Sequence, residues 1–147
     1  MTNIEIDKIA HVGVPVSNTK KSLAFYQDAL GLEFLSTRVI SGDHISSGVE
    51  VPNAKIKVTL LKSNNLMVEL LEYLNPKGQK FNRSNNDAGS MHIAFNVKDI
   101  DATYNNLKKL GFKCNQKPYP SSVPEGWAWF YARDPDGITV EFNGPIK

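Results

Sequence analysis

Four residues of this 147-residue chain have the types and the placement to hold a metal ion: His11, Glu69, His92 and Glu141. Each histidine lies in a short alternating segment, His11-Val12-Gly13-Val14 and His92-Ile93-Ala94-Phe95, and each glutamate lies between apolar neighbours, Val68-Glu69-Leu70 and Val140-Glu141-Phe142. An ionised carboxylate flanked in this way is costly to bury unless it is paired, hydrogen-bonded or bound to a cation. Taken singly, a strand histidine is commonly a hydrogen-bonded core or rim residue, and a strand glutamate is commonly solvated. The pair occurs twice, so one explanation must serve for both, and a divalent metal held by two imidazoles and two carboxylates is that explanation.

The elements that must position these residues are duplicated as well. The two histidine segments are offset by 92 − 11 = 81 residues, and so are the helix-capping candidates that follow them, Asn18 and Asp99, at 99 − 18 = 81. Leu23, Tyr26 and Leu30 mark an apolar helix stripe in the first half, and Ile100, Tyr104 and Leu107 mark one in the second. Both helices run into Leu-Gly, at Leu30-Gly31 and Leu110-Gly111, where glycine can take the left-handed conformation of a helix end. Strands are predicted over 32–39, 55–61 and 66–73, then over 112–117, 127–132 and 138–142, with Asp134-Pro135-Asp136-Gly137 as a turn. Two βαβββ modules, 7–75 and 90–144, are therefore expected within one domain over 1–147, joined by a polar, aperiodic linker over 76–89. Strand alternation places both histidines away from the apolar faces of their strands.

Other candidates carry competing readings. Glu72 lies on the face opposite Glu69 and reads as a solvent-facing or strand-end charge. His44 falls in a predicted loop over 41–53 and reads as a surface histidine within reach of the site. Trp127, Trp129 and Tyr131 alternate along one predicted strand, where they either line a substrate pocket or fill the core. Arg83 and Arg133 are candidate anion clamps. Cys114, the only cysteine, excludes an intrachain disulfide and reads as a half-buried inert thiol.

With 41% hydrophobic and 22% charged residues, the chain can bury one substantial core. The net charge of +2 comes from 17 basic and 15 acidic residues without a run of like charge, which gives no reason to expect a nucleic-acid or membrane partner. The first eight residues include Glu5, Asp7 and Lys8 and form no apolar leader, so a cytoplasmic protein is expected.

The ordered set, His11-Val12-Gly13-Val14 with Phe25-Tyr26 and Leu30-Gly31, Val68-Glu69-Leu70, His92-Ile93-Ala94-Phe95, and Asp134-Pro135-Asp136-Gly137 with Val140-Glu141-Phe142, resembles the vicinal oxygen chelate superfamily. That group contains glyoxalase I, methylmalonyl-CoA epimerase, extradiol dioxygenases and the fosfomycin and bleomycin resistance proteins. The resemblance implies an α+β fold of two tandem βαβββ modules forming a curved mixed-sheet cup, and often a homodimer. It also implies that the metal ligands are His11, Glu69, His92 and Glu141, holding one Zn, Ni, Co, Mn or Fe ion.

The ligand pattern is most similar to that of glyoxalase I. The implied activity is a metal-dependent lyase or isomerase that binds two adjacent oxygens of a small hydroxycarbonyl substrate and moves a proton through an enediolate. Glu141 is the first choice of base and Glu69 the second. Methylmalonyl-CoA epimerases typically carry glutamine where Glu69 stands, which weakens that alternative. An iron dioxygenase needs an open position that Glu69 would obstruct, and a purely binding protein has no use for four ionisable ligands.

Overall fold

The computed structural model describes residues 3–80 and 84–147. It divides into two compact units, Met1–Gly78 and Gln79–Lys147. Among the described residues no helix is long and apolar enough to cross a membrane. Arg83 lies outside the described residues.

In the first unit β1 (Val12–Pro15) leads into α1 (Thr19–Leu23), which continues as a π-helical segment over Ala24–Ala29. There follow β2 (Glu33–Ser41), α2 (Asp43–Gly48), β3 (Lys55–Lys62) and β4 (Met67–Asn75). The four strands form a mixed sheet in the order β1-β4-β3-β2, with β1 parallel to β4 and the remaining pairs antiparallel. Asn18 caps α1, its Oδ1 accepting from Lys21 N–H at 3.1 Å, and Gly31 closes the helical region at φ 75°.

The expected stripe of Leu23, Tyr26 and Leu30 is corrected by the π turn, in which Leu30 N–H reaches back five residues to the Phe25 carbonyl at 3.0 Å. That wider turn brings Phe25 and Tyr26 into the core together, both with no exposed surface and in edge-to-face contact at 5.1 Å, and it leaves Leu23 and Leu30 half-buried. Val68 and Leu70 of β4 and Leu61 of β3 complete this helix-side core. The loop expected over 41–53 contains α2, whose Ile45 packs with Val51 on a cluster of Ala54, Ile56 and Val58.

In the second unit β5 (His92–Asn96) leads into α3 (Ile100–Lys109), capped by Asp99 through a 2.9 Å bond from Ala102 N–H and closed by Gly111 at φ 84°. The strands β6 (Lys113–Cys114), β7 (Tyr119–Pro120), β8 (Trp127–Arg133) and β9 (Thr139–Pro145) follow. The sheet runs β5-β9-β8-β6, with β7 also pairing β8, and β5 lies parallel to β9. Phe130 is fully buried between Tyr104 of α3, edge-on at 5.4 Å, and Phe142 of β9, stacked at 5.2 Å.

Of the strand expected over 112–117 only β6, Lys113–Cys114, forms, and β7 follows beyond it at Tyr119–Pro120. Pro118 and Pro120 remove ladder donors, and Asn115 Oδ1 accepts from Tyr131 N–H at 2.8 Å in place of a backbone carbonyl. Cys114 is half-buried, and burial raises its thiol above the ordinary range against a smaller lowering by Lys108.

Candidate functional site

Each unit brings one predicted histidine to one predicted glutamate, in the same register. In the first, Gly13 of β1 lies beside Glu69 of β4, and His11 is two residues before Gly13. In the second, Ala94 of β5 lies beside Glu141 of β9, and His92 is two residues before Ala94. A glycine and an alanine beside the carboxylates leave the space across which the imidazoles reach them. Nε2 of His11 lies 3.4 Å from Glu69 Oε2, and Nε2 of His92 lies 2.8 Å from Glu141 Oε2. The carboxylates are mostly covered, at 19% and 18% exposure, while the imidazoles are open to solvent at 47% and 44%. Among the described residues the structure gathers no group of three or more His, Cys, Asp and Glu side chains that could hold a metal ion; it presents these donors as two pairs.

The donor chemistry fits a divalent ion. Two ligand atoms at right angles around an ion, each about 2.1 Å from it, are roughly 3.0 Å apart, a value that the two observed separations bracket. Neutral imidazole nitrogen with carboxylate oxygen suits zinc, nickel, cobalt, manganese or iron(II).

Glu72 is corrected. It does not face solvent: from the helix face of β4 its Oε2 accepts from Thr19 N–H at 3.0 Å and from Thr19 Oγ1–H at 2.5 Å, with Lys57 Nζ at 3.8 Å. Burial raises its pKa, but the two Thr19 bonds and the charges of Lys57 and Lys77 outweigh that effect and bring it below the usual carboxylate value. Glu72 therefore anchors the start of α1, while Glu69 points to the opposite face. His44 is exposed on α2.

The aromatic stripe is on the site face. Tyr131 pairs with Glu141, Trp129 with Asn143 and Trp127 with Pro145 across β8 and β9, so these rings share a face with His92 and Glu141. The alternate residues Ala128, Phe130 and Ala132 fill the core side, at no more than 1% exposure. Tyr131 lies 5.5 Å from the His92 ring. Burial, and then the Glu141 charge, raises its phenol above the ordinary range, which keeps it a proton-bearing donor.

Arg133 is not a free anion clamp. Its Nη1 donates to the Gly137 carbonyl at 3.1 Å and, in a very short contact, to Thr139 Oγ1, and its Nη2 donates to Asn85 Oδ1 at 2.9 Å. Asn85 Oδ1 also accepts from Thr139 Oγ1–H at 2.7 Å. These contacts tie the segment before β5 to the β8–β9 turn. Sequence reasoning passed over Thr19 and Asn85. The Asn18-Thr19 capping pair was a usable signal for Thr19; Asn85, in an aperiodic polar stretch, had none.

This geometry coincides with a family match. Residues 8–142 match the model of the glyoxalase/bleomycin resistance protein/dioxygenase superfamily, and the chain belongs to that superfamily. Its members include a probable lactoylglutathione lyase, an epimerase and a fosfomycin resistance protein of Listeria monocytogenes, the last solved in complex with Mn(II) and sulfate. The chain is 27% identical to a probable lactoylglutathione lyase from Synechocystis over 90% of its own length and 92% of that protein's. It is 26% identical to a 2-epi-5-epi-valiolone epimerase from Actinomyces, over 90% of its length and 76% of the relative's. A solved glyoxalase family protein from Bacillus cereus shares the fold, with a TM-score of 0.86 at 17% identity, covering 100% of this chain and 99% of that one. The expected α+β class with two mixed sheets is thus observed.

Proposed function

We propose that this protein is a divalent-metal-dependent lyase or isomerase, similar in chemistry to glyoxalase I, acting on a small substrate with adjacent carbonyl and hydroxyl oxygens. The observation that carries this reading is the repeated His–Glu pair, held in the same strand register in both units. His11, Glu69, His92 and Glu141 are the proposed donor set of one ion. When bound, the ion would act as a Lewis acid toward the two substrate oxygens.

The remaining work falls to the chain. Glu141 takes the proton from the substrate carbon and returns it to the adjacent carbon, which isomerises the substrate. Tyr131 stands opposite Glu141 as a hydrogen-bond donor for a substrate oxygen. Return of the proton to the same carbon would instead epimerise the substrate. The likeness to a valiolone epimerase favours keeping that second outcome. Assembly as a homodimer and a cytoplasmic location belong to the same proposal.

The test is solvent-deuterium exchange into a panel of α-hydroxycarbonyl compounds with the metal-reconstituted protein. Exchange without oxygen consumption is the expected result, and Glu141→Gln should reduce it by roughly a hundredfold or more while the protein stays folded. Exchange at the wild-type rate in that variant would overturn the assignment of the base.

A further inference from the structure

The two units hold the same pair of metal-type donors beside different walls. In the first unit Leu60 pairs with Glu69, Val58 with Leu71 and Ile56 with Tyr73. In the second Tyr131 pairs with Glu141, Trp129 with Asn143 and Trp127 with Pro145. Ile56, Val58 and Leu60 therefore stand where Trp127, Trp129 and Tyr131 stand in the duplicate.

The aliphatic wall is closed. Ile56 and Val58 are 1% and 3% exposed, covered by Ile40, Ile45 and Val51, and Ser46 Oγ on α2 accepts from Ala54 N–H at 3.0 Å to fix the cover in place. The aromatic wall has no such helix. From Gly31 to Leu60 the chain runs 60 − 31 = 29 residues, but from Gly111 to Tyr131 only 131 − 111 = 20. The shorter connection supplies the two-residue strands β6 and β7, of which β7 pairs beside Trp129, and its Tyr119 is 61% exposed. From His92 outward the rings form a ladder: Tyr131 at 5.5 Å, then Trp129 at 5.2 Å and Tyr119 at 6.5 Å, inclined to one another by 47°, 60° and 69°. Trp127, Trp129 and Tyr131 are only half-buried, so part of each ring is open on the site face, where another flat ring can stack on it or meet it edge-on.

We propose that Trp129, Tyr131 and Tyr119 form a subsite for a planar aryl group carried by the substrate, which makes His92–Glu141 the pair beside which the body of the substrate lies. The hydroxycarbonyl part of that substrate rests on the proposed function; the ring preference rests on the wall alone. It also gives an independent reason for choosing Glu141 over Glu69 as the base.

The chain has two tryptophans, both on β8, so its two indole N–H resonances report directly on this wall. Metal-free, EDTA-treated protein is titrated with 2-hydroxyacetophenone and, separately, with hydroxyacetone. The aryl compound should shift both resonances saturably at concentrations roughly tenfold lower than the alkyl compound requires. Trp129→Leu, followed on the Trp127 resonance, should remove most of that advantage, and Trp129→Phe should restore it. Tyr119→Ser, at an exposed position, should weaken aryl binding severalfold without altering the fold. Equal affinities for the two compounds, or an aryl preference unchanged in Trp129→Leu and Tyr119→Ser, would overturn the subsite. Because the titration contains no metal, an aryl preference that survives alongside absent deuterium exchange would refute the proposed reaction and leave the subsite standing.

Discussion

Replacing Glu72 by glutamine tests whether this carboxylate is a structural anchor and not a metal ligand. Thr19 is 1% exposed, and both its N–H and its hydroxyl donate to Glu72 Oε2, at 3.0 and 2.5 Å. Hydrogen bonds to a charged acceptor contribute about 1.5–3 kcal/mol each, against about 0.5–1.5 for neutral ones. Glutamine keeps an acceptor oxygen and loses the charge at both bonds, a difference of about 2–3 kcal/mol, which the smaller burial penalty of a neutral amide reduces, so Glu72→Gln should cost about 1–2 kcal/mol. Glu72→Leu leaves two buried donors unpaired and should cost about 2–4 kcal/mol. The Lys57 contact at 3.8 Å adds about 0.5 kcal/mol at most, because Lys57 is 36% exposed.

Urea unfolding at neutral pH measures these differences. The pH dependence provides a second check. The folded-state pKa of Glu72 is lowered from 4.5, so its stabilisation is complete above that value and is lost as pH falls through the lowered one. The gap between wild type and Glu72→Gln should therefore close on acidification. Equal stability at neutral pH, or a gap that persists after the carboxylate is protonated, would refute the anchoring argument. Metal content should be the same in both proteins.

Three further substitutions probe the frame around the site. In Gly144→Ala the new Cβ would sit 2.7 Å from the Val97 carbonyl oxygen and 2.8 Å from its Cγ2, so β9 must shift; a loss of about 1–3 kcal/mol is expected in thermal unfolding. Phe130→Ala removes the ring between Tyr104 and Phe142 and should cost about 3–5 kcal/mol by chemical denaturation, with a preserved far-ultraviolet spectrum. Asp99→Ala deletes the bond to Ala102 N–H and should cost about 1 kcal/mol, with faster amide exchange confined to the first turn of α3.

The duplication was legible because strand alternation, caps and terminal glycines are local signals. The departures from exact repetition were legible only with the structure. Between cap and glycine the first half has 31 − 18 = 13 residues and the second 111 − 99 = 12. The π turn over Ala24–Ala29 absorbs that extra residue, and nothing in a periodic count distinguishes it from an ordinary helix with a shifted stripe. The short helix α2 has six residues and buries none of them, too little for an apolar period to mark. At Glu72 strand phase gave the correct face, but the partner is 53 residues away in sequence at Thr19, a contact set by tertiary packing. Arg133 is a similar case, since Asn85 and Thr139 are brought to it by the fold. The two His–Glu pairs were recognisable because each lies in an apolar strand context and recurs.

Metal stoichiometry of the reconstituted protein tests the central claim most directly, by elemental analysis after removal of free ions. One divalent ion per chain is the expected result, lost equally in His11→Ala and His92→Ala if both pairs serve the same ion as proposed. Two ions per chain, or an ion retained at full occupancy in either variant, would contradict it.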